Sequence, residues 1–390
     1  MAQGQSQHLP LRGFGSTRQW TSGCASINRL PKDGSSHSIL TAGLTTLANI
    51  TQQINRGLPF PWNAGHTAVA ASILVLVLAL GPVFKLELVV NGLFLGSILA
   101  LGAVGVSLVH GVLRFTHVAQ GEFMTFGAYI SFFLLGTLFP KIGMDSAGLG
   151  PFTFGFPLLI AIPITVAAMA SMAVVLDVVV YRRLRQRRAK LALLAVASLG
   201  VAVALRGLVQ TIWGSGTEQL PQVPKSIYQL PLGVQVPPDS VFIGALSLAS
   251  LAALYLFLTR SNLGRTMREA TSNAGPAEAG GVDTRHLVWA TWGISAGLAA
   301  TAGVLLSVHQ GQLFPSMGWE LLLPLFAAAI VGGMSSPYGA FAGALAIGVA
   351  AEVSTEWIDA SYRPAVAFAF LIVVMLVLPR GIFGVRMAKT

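Results

Sequence analysis

Six ionisable side chains of this 390-residue sequence stand inside or beside long apolar runs: His110, Glu122, Asp177, Arg206, His309 and Glu352. Such groups are costly in lipid, so each implies a partner, a polar route or a place at a helix end. Arg206 stands about two helical turns from the end of its run, and Glu352 near the end of its own; headgroup or interhelical pairing is expected of both. The acids and histidines are not spaced closely enough for a proton relay. No Lys follows a Gly, so the phosphate-cradling loop whose Lys reaches out from a helix N-terminus is missing. A His-Glu-x-x-His metal pair is also missing, and the lone cysteine, Cys24, excludes an internal disulfide or a Cys cluster. These residues assign no catalytic, cofactor or metal site.

The elements that must position them are set by lipid. Only 10% of the residues are charged and 54% are hydrophobic, with a mean hydropathy of +0.71. A soluble domain carries about a quarter charged residues, so this chain cannot cover itself with polar surface. Its apolar runs fall at 68–84, 87–109, 122–139, 157–180, 191–213, 240–258, 286–308, 319–333, 337–354 and 363–379. Most are long enough to cross a hydrocarbon core of about 30 Å as helices. The fold class is therefore all-α: a polytopic transmembrane bundle of about ten segments. The pair at 319–354 is joined by Gly332, Gly333, Met334, Ser335, Ser336 and Pro337, and its runs are short enough for a tight hairpin or a re-entrant pair.

A net charge of +10 would suggest nucleic acid in a soluble protein. Here the basic residues sit in connections between apolar runs, which excludes a nucleic-acid surface and reads as topology. The densest block is Arg182, Arg183, Arg185, Arg187, Arg188 and Lys190, placed in the cytoplasm by the positive-inside rule. Alternation then brings three more basic segments to the same side: the N-terminal tail, the loop with Arg260, Arg265, Arg268 and Arg285, and the C-terminal Arg380, Arg386 and Lys389. Loops near 140–156 and 214–239 fall outside with only Lys141 and Lys225. Both termini are thus expected in the cytoplasm. Residues 1–66 form a basic, Ser-rich extension with the composition of disorder, readable equally as a transit peptide or as the result of an upstream start. The transmembrane domain spans 67–384, and 385–390 form a short cytoplasmic tail.

Small-xxx-small spacings at Gly92 and Gly96, Gly293 and Gly297, and Gly339 and Gly343 predict close helix contacts. The longest polar stretch between runs, Gly264 to Arg285, mixes Ala and Gly with Arg265, Arg268, Glu269, Glu278 and Asp283. It suits a short helix lying across the cytoplasmic face, although a solvated loop accounts for the same composition.

Several ordered blocks carry a family resemblance. They are Asn91-Gly92-Leu93 with Gly96-Ser97 and Ala100-Leu101, then Gly121-Glu122-Phe123-Met124 with Gly127-Ala128-Tyr129. Further on come Gly264-Arg265-Thr266-Met267-Arg268-Glu269-Ala270 with Ala277, Ala279 and Gly281-Val282-Asp283, then Ala299 to Leu306. Gly332-Gly333-Met334 with Gly339-Ala340 and Gly343, and Pro379 to Gly384, close the set. Over residues 86–384 the chain resembles the branched-chain amino acid ABC transporter permease family. It departs where His117 and Gln120 replace the Asn and His usual in the turn before Gly121, and where Ser272 and Asn273 replace an acid in the coupling loop.

The resemblance implies a multi-pass inner (plasma) membrane subunit, not itself an enzyme, with ATP hydrolysis on separate ATP-binding cassette subunits. Its implied partners are a second homologous permease, those ATPases, an extracytoplasmic substrate-binding protein and membrane lipid. Gly264, Arg265, Arg268, Glu269, Ala277, Gly281 and Asp283 would form the ATPase-coupling loop. Asn91, Ser97, His117 and Gln120 are candidates for the translocation path, being polar beside or within the best-matching spans. The expected solutes are branched-chain or related amino acids. Urea or short amides, or a stand-alone channel or secondary transporter, are the alternatives.

Overall fold

The computed structural model describes residues 85–144, 152–220, 228–229, 235–272 and 284–377, all within the unit formed by residues 65–390. The extension 1–66, the first apolar run at 68–84, Ala277, Gly281, Asp283 and the tail 385–390 lie outside the described residues.

The described residues form ten helices: α1 (Leu86–Leu113), α2 (Gln120–Lys141), α3 (Phe156–Gln186), α4 (Leu191–Trp213), α5 (Pro238–Arg260), α6 (Asn262–Ser272), α7 (Thr284–Gln310), α8 (Met317–Gly332), α9 (Pro337–Val353) and α10 (Arg363–Val377). Helices α1 to α5, α7 and α9 with its 3-10 extension are long and apolar enough to cross a membrane. Among the described residues, strand is limited to two-residue pairs, β1 (Glu218–Gln219) with β4 (Gln312–Leu313) and β2 (Tyr228–Gln229) with β3 (Gln235–Val236), both antiparallel. The chain is an all-α polytopic membrane bundle. Val196, Val203, Leu248 and Leu376 stand on its outside, where a soluble protein would carry charge.

Helices α1 and α7 are the most enclosed. Between apolar helices in lipid the drive for contact is close packing, which needs small residues at the seam. Gly92 and Gly96 of α1 supply it against α9: a Cβ at Gly92 would stand 2.7 Å from the Val349 Cα, and one at Gly96 2.9 Å from the Leu345 Cα. Gly348 returns the contact from α9 onto the Gly96 backbone. Gly339 and Gly343 close the α8–α9 hairpin against Gly332 and Ala328. The third pair, Gly293 and Gly297, meets only side chains of α3, at 3.7 Å from the Ala170 Cβ and 3.1 Å from the Val166 Cγ1.

The 319–354 segment is the tight hairpin. Ser336 caps α9 by accepting from the Gly339 N–H at 3.1 Å, with Pro337 at the first helical position. Helix α8 is short: its 16 residues reach about 24 Å. Its start meets α2, with Gly318 against Gly121 and the Gly318 N–H donating to the Thr125 Oγ1 at 3.0 Å.

Contacts sort the chain into two ends. At one, Lys85 pairs with Glu356 at 3.1 Å, Arg363 with Glu352 at 3.0 Å, β1 with β4, and Asp239 accepts from the Thr153 N–H and hydroxyl. At the other, Gly111 approaches Thr271 and Ser335, Arg114 reaches α6, and Arg182 and Arg185 share a cavity with Arg285. The two densest basic connections thus meet at one end, as alternation requires.

Candidate functional site

Helix α1 ends at Arg114, held in the left-handed region at φ 62°, where its N–H still reaches the His110 carbonyl. A non-glycine residue there is disfavoured. Its guanidinium compensates by donating to the carbonyls of Ala270 and Thr271, the last turn of α6, at 3.2 and 3.1 Å. From Arg114 the chain folds back into the bundle, so that Gln120 at the start of α2 lies level with Gly105 in the second half of α1.

Two of the four path candidates sit in that fold-back. Gln120 is fully buried; its Nε2 donates to the Ser295 carbonyl at 3.3 Å, while the Ser295 hydroxyl lies 3.2 Å from its Oε1 and 3.0 Å from the Gly105 carbonyl. His117, in the connection between α1 and α2, is also fully buried, inside an aromatic box of Phe115, Phe123, Tyr181 and Trp292. Trp292 meets it edge-on at 4.8 Å between centroids, and Tyr181 stacks on Trp292 at 4.7 Å. The Tyr181 hydroxyl lies 3.4 Å from the His117 Nδ1. The other two candidates stand apart: Ser97 donates to the Phe94 carbonyl of its own helix at 2.7 Å, and Asn91 lies one turn from the start of α1.

Trp292 and Ser295, one turn apart on α7, hold the two buried candidates, and sequence reading did not single out either. Ser295 also lies in Gly293-Ile294-Ser295-Ala296-Gly297, the spacing of a hydrolase nucleophile elbow. An elbow needs a sharp strand-to-helix turn, whereas this serine is in the interior of a continuous helix. The centre is therefore a cluster of amide, hydroxyl, imidazole and ring faces. Arg206 pairs with the buried Glu122, its Nε donating at 3.1 Å, and lies 4.6 Å over the Trp319 ring. It fastens α4 to α2 and α8. Both Arg206 and Glu352 thus have the interhelical pairing expected of them.

The second candidate region is α6. The Ser261 hydroxyl accepts from the Gly264 N–H at 2.9 Å and starts the helix, while Gly264 presses on the Phe257 carbonyl and on Leu258. Only glycine fits that corner. Gly264, Met267 and Ala270 point inward at helical spacing, whereas Arg265 and Glu269 are exposed and Arg268 is half-buried. The loop is thus helical where it is described, lying between two spans with one face buried and one charged face open.

The fold and site define a membrane permease. The family model for the branched-chain amino acid transport system / permease component matches residues 88–378, and the chain belongs to this family. It is 30% identical over 307 residues to the high-affinity branched-chain amino acid transport system permease protein LivH of Salmonella typhimurium strain LT2, covering 77% of this chain and 96% of that protein. LivH of Escherichia coli strain K12 is 29% identical over the same shares. BraD of Pseudomonas aeruginosa, of the same description, is 30% identical over 303 residues, 77% of this chain and 95% of that one. No solved structure matches the chain significantly.

Proposed function

We propose that this chain is a permease subunit of an ABC importer for branched-chain or related amino acids, with both termini in the cytoplasm. It forms the translocation path with a second, homologous permease. Two cytoplasmic ATPases drive it through α6 and the loop that follows, and a substrate-binding protein delivers solute from outside. The observation that carries the reading is the docking of α6. A cornered amphipathic helix between two spans, tied by Arg114 to the fold-back bearing His117 and Gln120, can pass motion from a soluble motor to a buried polar centre. The Gly264, Arg265, Arg268, Glu269, Ala277, Gly281 and Asp283 set contacts the motor. His117 and Gln120 face the solute during transit, Ser97 and Asn91 lining the path toward the outer end. The branched-chain amino acid transport of LivH and BraD supports the solute class.

The test is affinity purification of the tagged chain in mild detergent, followed by leucine uptake in liposomes. Recovery of a Walker-type ATPase and a second permease is expected, with ATP-dependent uptake lost in Arg265→Glu/Arg268→Glu together with ATPase capture. Arg114→Ala is expected to keep the ATPase bound but uncouple hydrolysis from uptake. Leucine flux through the well-folded chain alone would refute the subunit reading and favour a channel or secondary transporter.

A further inference from the structure

Helix α8 starts at membrane depth. Its Glu320 stands twelve residues before Gly332, so it lies about 18 Å along the helix from the hairpin turn at the basic end. The opposite end gives a second measure: Arg206 precedes Trp213, the last residue of α4, by about two turns, and its guanidinium lies 4.6 Å over the Trp319 ring. A hydrocarbon core is about 30 Å thick, so Trp319 and Glu320 lie within it whichever end is the reference. Both are nonetheless exposed on the chain, as are Gln210, one turn beyond Arg206, and Leu323, one turn beyond Trp319.

A carboxylate is costly against lipid, so ionisable groups at that depth face a bundle interior or a water-filled cavity. The flank of α8 that carries Glu320 therefore borders an aqueous route. Its charge selects what it receives. Arg206 is neutralised by Glu122, whereas Glu320 has, among the described residues, a hydroxyl partner and no cation: the Ser316 Oγ donates to its Oε1 at 3.1 Å. Among the described residues no three metal-binding side chains gather, and a lone carboxylate suits an ammonium better than a metal ion, which takes several ligands. Beside it the exposed Trp319 offers an indole, which accepts cations on its face and packs against alkyl groups. We infer that Glu320 holds the ammonium group of an amino-acid solute in the translocation path, with Trp319 against the solute's apolar part. The choice of an amino acid rests on the function proposed above; the aqueous placement of Glu320 does not.

The test uses the full chain in membrane vesicles that carry the whole transporter, with Cys24→Ser as the background. Glu320→Cys should react with a charged, water-borne thiol reagent, and leucine should slow that reaction. Leu248→Cys, on the outside of α5 in mid-span, should stay unreactive. With Cys24 in place, Glu320→Gln should raise the KM of leucine uptake about tenfold or more with little change in kcat, as expected for a lost charged hydrogen bond, and Glu320→Asp should recover part of it. A melting curve in detergent checks that each variant folds. Absence of labelling at position 320 would overturn the aqueous placement. Labelling that leucine does not slow, together with an unchanged KM, would overturn the solute contact. Loss of the second permease from Glu320→Gln complexes at unchanged KM would give the carboxylate to that partner instead. Labelling and its protection by leucine need no ATPase, so they support the site even where leucine flux through the chain alone refutes the subunit reading.

Discussion

Replacing Gly348 by alanine tests the packing that holds α9 on α1. The new Cβ would press into the Gly96 backbone and stand 2.6 Å from the Gly92 carbonyl oxygen. Relaxed contacts between heavy atoms lie near 3.5 Å, so the seam must open by about 1 Å. Every atom pair along it then gives up a quarter to a half of its attraction. Overpacking of this kind costs about 1 to 3 kcal/mol. The helix-forming advantage of alanine does not offset it, because a transmembrane segment remains helical in lipid when the bundle comes apart. The control is Gly200→Ala in α4, where nothing lies within 4 Å of the added methyl. Thermal unfolding in detergent, followed by intrinsic fluorescence with size-exclusion checks, should show Gly348→Ala melting clearly below wild type and Gly200→Ala melting with it. Equal melting of the two variants would refute the argument that the seam depends on a missing Cβ.

Arg206→Ala should destabilise by about 3 to 5 kcal/mol, because it leaves the Glu122 carboxylate buried without its cation. The double variant Glu122→Leu/Arg206→Leu should recover most of that loss in the same melting assay, and a double variant no better than the single one would contradict it.

Helices were readable wherever an apolar run was long enough to demand lipid. The run at 191–213 coincides with α4, and 87–109 lies within α1. Shortness at 319–333 was readable too, since hydropathy counts residues and α8 has few. Which glycines form seams was only partly readable: spacing marks three pairs alike, while the neighbour decides, and Gly293 and Gly297 meet side chains of α3 instead of a backbone. The centre was the least legible. Gln120 is held by a serine 175 positions away, and Glu122 by an arginine 84 positions away. No local pattern encodes such distances. Trp292 and Ser295 gave one available signal, a polar and an aromatic residue one turn apart in an apolar helix, but that pattern also describes ordinary packing.

The π turn at Asp177–Tyr181 carries a consequence for register. Such a turn holds an extra residue compared with an α turn. Everything beyond it, including Arg182 and Arg185, is therefore rotated relative to the phase set by the preceding span. Since an α-helix advances about 100° per residue, deleting a single valine from this turn would swing the arginines by roughly that angle. Asp177 would lose its partner although no charged residue had been changed. In chain arithmetic the helix is two rulers joined with an offset, and a relative lacking the turn aligns with this chain only through a one-residue gap.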